Sequence, residues 1–186
     1  MISQNMDQDI LKVVYSEQQL HDKVATLGAQ ITEDYKDAKE DIFCVGILKG
    51  AAVFYTDLVR EIKLPVSFDF MIASSYGNGT STSGTVKILK DLDYDIENKH
   101  LIVIEDIIDS GTTMHYLMKY FKQRKPKSVK LCALLSKPSR RTVDVDIDYC
   151  GFEVPDEFLV GYGLDYAEKY RNLPYIGVLK PEVYAE

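Results

Sequence analysis

With 186 residues, 46% of them hydrophobic and 27% charged, the chain is long enough to bury one substantial core without staples, and nothing in its length calls for a second domain. A formal net charge of −7 argues against a nucleic-acid partner, because backbone phosphates need a broad basic surface; the one basic cluster, from Lys119 to Lys130, coincides with a helix end whose dipole it complements. Cys44, Cys132 and Cys150 are widely spaced in apolar surroundings and read as reduced core thiols, while a polar Met1–Asp9 and the absence of any membrane-length apolar run point to a soluble, cytoplasmic protein.

In chain order, Ser16 is a helix N-cap, and Leu20, Val24, Leu27, Ile31 and Tyr35 form one apolar stripe of a helix running to about Lys39. Asp41 to Leu48 reads as a buried strand, and Lys49-Gly50-Ala51-Ala52 turns it into a helix carrying Val53, Phe54, Leu58 and Val59. Lys49 therefore stands at the carboxyl end of a strand, where α/β folds place ligands. A strand through Val66, Phe68, Phe70 and Ile72 leads into a run from Ser74 to Thr85 of Gly, Ser, Thr and Asn around Tyr76; such a run cannot form a packed element and reads as a mobile lid, with a passive linker as the alternative. Val86 to Asp91 is the returning strand of this hairpin.

The stretch from Leu101 to Thr113 is the most specific chemically. Leu101-Ile102-Val103-Ile104 is a strand covered on both faces, and Ser110 to Thr113, followed by Met114, Leu117, Met118 and Phe121, is the first turn of a helix. The loop between them is an anion seat: unpaired backbone N–H groups and the positive end of the dipole face outward, Gly111 allows close approach, and the Ser110, Thr112 and Thr113 hydroxyls add donors. The Gly-Lys-Ser/Thr ending of a nucleotide P-loop is missing, and three acids, Glu105, Asp106 and Asp109, stand beside the seat instead. Adjacent acids there can accept hydrogen bonds from sugar hydroxyls, trade a proton with a ring nitrogen or help hold Mg²⁺; Asp109 alternatively serves as a helix cap. Ser128 to Ser136 is a further buried strand ending at Lys137, and short strands follow within Val143–Phe152, near Phe158–Tyr162 and at Tyr175–Leu179, the last outside the main sheet. Strands alternating with helices call for a parallel sheet.

The run Val103-Ile104-Glu105-Asp106-Ile107-Ile108-Asp109-Ser110-Gly111-Thr112-Thr113 resembles the phosphoribosyl-pyrophosphate (PRPP) signature of the type I phosphoribosyltransferases. Val160 to Tyr166 and Arg171-Asn172-Leu173-Pro174-Tyr175 resemble the hypoxanthine-guanine branch, and the similarity extends over nearly the whole chain. It implies a five-stranded, mostly parallel sheet flanked by helices, a single domain with its core at about residues 36–165, and a small hood built from the terminal segments. The activity implied is transfer of the phosphoribosyl group from PRPP to hypoxanthine or guanine with Mg²⁺, in a homodimer or homotetramer; a PRPP-sensing regulator without chemistry and an enzyme for another base such as xanthine are the alternatives. Carried over residue by residue, the resemblance gives Ser110–Thr113 to the 5′-phosphate, Glu105 and Asp106 to the ribose hydroxyls and metal, and Asp109 to proton transfer at purine N7. Lys49-Gly50-Ala51 and Arg171 fall to the pyrophosphate, with a cis peptide at Lys49; Asp165 to the metal, Ser75-Tyr76 to the lid entry, Lys137 to the purine 6-oxo group, Phe158 to ring stacking and Leu159 to a main-chain contact with the base. Where the family has a second glycine, this chain has Ala51.

Overall fold

The computed structural model describes residues 5–75 and 86–185. In chain order a short 3-10 turn precedes β1 (Ile10–Tyr15), α1 (Glu17–Tyr35), β2 (Ile42–Leu48), α2 (Ala52–Glu61), β3 (Val66–Ser75) and β4 (Val86–Lys90). Then follow β5 (His100–Ile108), α3 (Thr112–Gln123), β6 (Ser128–Ser136), β7 (Tyr149–Glu153), β8 (Leu159–Val160), β9 (Ile176–Leu179) and α4 (Pro181–Tyr184). None of the described helices is long and apolar enough to cross a membrane.

Uninterrupted apolar runs need cover on both sides, and β2, β5 and β6 obtain it at the centre of a sheet ordered β4-β3-β2-β5-β6-β7. Five strands, β3 to β7 across that order, are mutually parallel, as the resemblance implies; β4 adds a sixth, antiparallel strand through the hairpin with β3. The two-residue period of a strand divides the core. Ile102 and Ile104 of β5 pack with Leu20, Leu27, Phe54 and Leu58 of α1 and α2, whereas Leu101 and Val103 pack with Met114, Leu117 and Phe121 of α3. The core layers thus include residues 17–35 of α1 as well as the region from 36 onward.

Ser16 caps α1 through a reciprocal pair: its Oγ accepts from Gln19 N, and Gln19 Oε1 accepts from Ser16 N. The helix ends at Tyr35, four residues before Lys39, because the apolar stripe stops there and the charged run from Lys36 to Asp41 has nothing to pack against. β1, β9 and β8 form a separate antiparallel sheet from the two ends of the described chain, closed by a cluster of Val160, Tyr170, Leu173 and Leu179. This is the hood.

From the adjacent pair β2 and β5, the chain proceeds outward to β3 on one side and to β6 and β7 on the other. The connections leaving the carboxyl ends of β2 and β5 therefore diverge and open a crevice between Lys49 and Asp109, the position at which an open α/β sheet binds its ligand.

Candidate active site

The crevice is about 530 Å³ and is lined by Lys49 and Gly50 after β2, by Glu105, Asp106 and Asp109 to Gly111 at the end of β5, by Thr113 of α3, and by Asp165 and Arg171 from the hood. A second pocket of about 300 Å³ adjoins it, lined by Lys137, Phe158, Leu159 and Leu164. Asp106, Ile107, Asp109 and Asp165 line both, so the two meet at these residues.

Glu105 and Asp106 carry the least comfortable charge in the molecule. Glu105 Oε2 is buried with no hydrogen-bond partner, and Asp106 Oδ1 accepts from the neighbouring Ile107 N at 2.9 Å. Burial, then the charge of Asp106, pushes the Glu105 carboxyl well above the ordinary range; burial also raises Asp106, although the Ile107 N–H and Arg171 pull the other way. Such a pair is completed by hydroxyl donors or a hard cation. Among the described residues no three His, Cys, Asp or Glu side chains converge into a cage, but Mg²⁺ usually takes one or two carboxylates and fills its remaining positions with water and substrate oxygens, and Glu105 and Asp106 fit that requirement. Asp165 fits less directly: its Oδ1 is 2.9 Å from Arg171 Nη2 and its Oδ2 accepts from Glu168 N at 2.9 Å, leaving it a contact through remaining lone pairs or water.

Beside this pair the backbone comes close enough to exclude a side chain. A Cβ on Gly50 would overlap Asp106 Oδ2, so only glycine fits. The Leu48–Lys49 peptide is cis. Ala51 differs from its expected role: its φ of −68° suits any residue, and its N–H already donates to Ile47 O at 3.3 Å, so Lys49 and Gly50 are left to meet an anion. Lys49 Nζ and Arg171 Nη2 both reach Glu168 Oε2, at 2.9 and 3.6 Å.

The N-cap of α3 is Gly111, at φ +85°, and the helix begins at Thr112. Asp109 is therefore not the cap, and the first turn starts two residues later than Ser110. Any Cβ at Gly111 would also meet Val143 O and Arg141 Cδ, so both backbone conformation and space call for glycine. Ser110 O accepts from Thr142 N and Val143 N at 3.0 and 3.1 Å, tying the loop to the segment after β6. Ser110 and Thr113 line the cleft; Thr112 does not, and its hydroxyl accepts from Ser110 Oγ at 3.2 Å.

In the second pocket Lys137 is 8% exposed; its ammonium donates to Glu157 O at 2.8 Å and lies 3.6 Å from Asp156, which leaves a third N–H. Phe158 is stacked on Tyr184 of α4, centroids 4.7 Å apart, and edge-on to Tyr166. Leu159 is buried and paired through its backbone with Val178 in the hood sheet. Ser75 is the last residue of β3, while Tyr76 lies outside the described residues.

Arg140, Asp156, Glu168 and Tyr184 also stand at or behind the site, without a motif in the sequence that marks them. Arg140 Nε lies 2.9 Å from Asp109 Oδ1 and its Nη1 3.4 Å from Asp156, so alternating charges link Asp109 to Lys137. The only signal was the pair Arg140-Arg141 just past a strand end. Nothing local in the sequence marks Tyr184, which meets Phe158 across 25 intervening positions.

Residues 12–167 match the family model described as "Phosphoribosyl transferase domain". A "Hypoxanthine-guanine phosphoribosyltransferase" of Bacillus subtilis is 55% identical over 96% of this chain and 98% of its own length. A "Bifunctional protein TilS/HprT" of Listeria monocytogenes is 54% identical over 99% of this chain, which spans 28% of that longer protein. The solved structure of a hypoxanthine phosphoribosyltransferase from Staphylococcus aureus superposes with a TM-score of 0.93 at 47% identity, covering 99% of this chain and all of the other. The chain belongs to the phosphoribosyltransferase family and has the type I fold of that family.

The acid pair gives a stability prediction. Glu105 holds its proton to higher pH in the folded than in the unfolded chain, so the two states do not differ below the ordinary value of 4.5, and stability falls as pH rises from there through the raised folded value. Replacing a buried, unpartnered acid by an amide should stabilise the ligand-free protein by about 1–3 kcal/mol near neutral pH. Thermal unfolding of Glu105→Gln against wild type should show a Tm gain that vanishes below about pH 4; a loss of Tm at pH 7 would show that the carboxylate is satisfied in the folded state.

Proposed function

We propose that this chain is an enzyme of purine salvage, transferring the 5-phosphoribosyl group of PRPP to hypoxanthine or guanine and releasing pyrophosphate. The observation that carries the reading is the junction at Asp109: an anion cleft with a paired-acid floor meets a pocket bearing an aromatic ring and a buried lysine. Relatives named for this activity, matched over nearly their whole length, support it. The net charge of −7 disfavours the sensing regulator, whose nucleic-acid contact would need a broad basic surface.

In this reading the N-terminus of α3 and the Ser110 and Thr113 hydroxyls hold the 5′-phosphate, and Glu105 and Asp106 accept from the ribose hydroxyls. Lys49, the Gly50 backbone and Arg171 receive the pyrophosphate. Glu105 and Asp106 would hold Mg²⁺, with Asp165 contributing through water, and the ion would offset the charge of the leaving group. The base rests on Phe158 with its 6-oxo group toward the free N–H of Lys137 and its edge against the Leu159 backbone. As purine N9 bonds to C1′ and the pyrophosphate oxygen departs, the proton on N7 passes to Asp109, which the Arg140 ion pair holds at the junction of the two pockets. The hood excludes water from the cation-like sugar. We assign the working form to a cytoplasmic homo-oligomer, in keeping with the family and the unpaired cysteines.

Incubation with PRPP, Mg²⁺ and each purine decides the matter: nucleotide should form with hypoxanthine and guanine, and tight PRPP binding without turnover on any base would establish the regulator. Asp109→Asn should keep PRPP affinity while kcat falls roughly 10²–10⁴-fold, and an equal loss of both would make Asp109 structural. Lys137 has only donors, so the 6-amino group of adenine leaves a buried donor facing a donor, and kcat/KM for adenine should be roughly tenfold to over a hundredfold below that for hypoxanthine. Adenine rivalling hypoxanthine in wild type would remove the role given to Lys137.

A further inference from the structure

Lys49 and Arg171, the two cations of the cleft's diphosphate end, are already engaged by one carboxylate that is not part of the cleft wall. Glu168 Oε2 lies 2.9 Å from Lys49 Nζ and 3.6 Å from Arg171 Nη2, a single oxygen bridging the two. Lys49 and Arg171 line the crevice and Glu168 does not: it reaches in from the hood segment that follows Asp165. The lysine hydrogen bond, ahead of every other influence, holds its carboxyl below the usual range, so it is a full anion at neutral pH.

The placement is set by backbone. Ala167, Glu168 and Tyr170 have φ of +50°, +63° and +73°, a conformation that non-glycine residues adopt rarely and retain where surrounding structure demands it. That demand is visible: Glu168 N donates to Asp165 Oδ2, Tyr166 and Lys169 bridge one another, and Tyr170 is fully buried with its hydroxyl on Asp9. The Glu168 side chain, in contrast, is 64% exposed, so solvent can replace its contacts with the two cations.

We propose that Glu168 sets the affinity for the diphosphate group: its carboxylate occupies the two cations in the open state, and an entering diphosphate must displace it. The inference rests on the assignment of Lys49 and Arg171 to pyrophosphate. Exposed ion pairs are weak, so displacement is easy, and the carboxylate acts as a competitor of fixed, high local concentration that weakens binding and speeds release by a modest factor. It spares the phosphate seat at Ser110–Thr113, which it does not touch.

The test is calorimetric titration of wild type, Glu168→Gln and Glu168→Asp with inorganic pyrophosphate plus Mg²⁺ and, separately, with inosine 5′-monophosphate. Glu168→Gln should bind pyrophosphate about two- to fivefold more tightly at low ionic strength, with the gain shrinking as salt is raised, and inosine 5′-monophosphate equally well. Glu168→Asp, which keeps the charge on a shorter arm, should fall between the two. Pyrophosphate binding that is unchanged or weaker in Glu168→Gln, with the monophosphate unaffected, overturns the competitor role; parallel weakening of both ligands makes Glu168 a structural support of the segment. Wild type that binds the monophosphate but not pyrophosphate refutes instead the assignment of Lys49 and Arg171, which the first result leaves standing.

Discussion

Two carboxylates forced together at the end of a fully buried strand organise this molecule. Glu105 and Asp106 continue the apolar run of β5 to the point where the sheet's connections diverge, and burial holds both above the ordinary carboxylate range. An uncompensated acid pair destabilises a free protein, and it persists where a ligand completes it. The surrounding structure is fitted to that position. Gly50 carries no side chain because Asp106 fills the space one would take, Gly111 turns the chain at once into α3, and Arg171 comes from the hood toward the pair.

Around the pair, charges are arranged in two separate relays. On the diphosphate side, Lys49, Glu168, Arg171 and Asp165 join the β2 turn to the hood; on the base side, Asp109, Arg140, Asp156 and Lys137 join the β5 turn to the base pocket. Most members are partly exposed, so each pair is worth little to stability in water. Their consequence is geometric. In the proposed reading, the cations that an anionic substrate would need are held in place by acids that a more highly charged ligand can outcompete, and Asp109, the proposed proton acceptor, is held where the two pockets meet.

Much of this was legible in the sequence where a local rule determines the outcome. The buried strands follow from uninterrupted apolar runs, α1 from a stripe and its Ser16 N-cap, and the anion seat from small residues between a strand and a helix. The resemblance to the phosphoribosyltransferases supplied the fold and the residue roles that no local rule gives, those of Lys137 and Phe158 above all. What escaped was long-range. Tyr184 lies behind Phe158, Arg140 beside Asp109 and Glu168 across Lys49, pairings that depend on how the hood closes over the sheet and leave no periodicity or spacing to read. Boundaries also moved: α1 stops at Tyr35 and α3 starts at Thr112, because packing partners, not propensity, end the one and the Gly111 turn starts the other.

One substrate must span both pockets across the acid pair if the proposed activity is right. A crystal structure with inosine 5′-monophosphate and pyrophosphate bound together tests this most directly. The 5′-phosphate should sit on the Ser110–Thr113 turn, the ribose hydroxyls on Glu105 and Asp106, and the base over Phe158 with its 6-oxo oxygen on Lys137 and N7 beside Asp109. A nucleotide seated in the crevice with its base directed away from the Lys137 pocket, or with its ribose out of reach of Glu105 and Asp106, would contradict it.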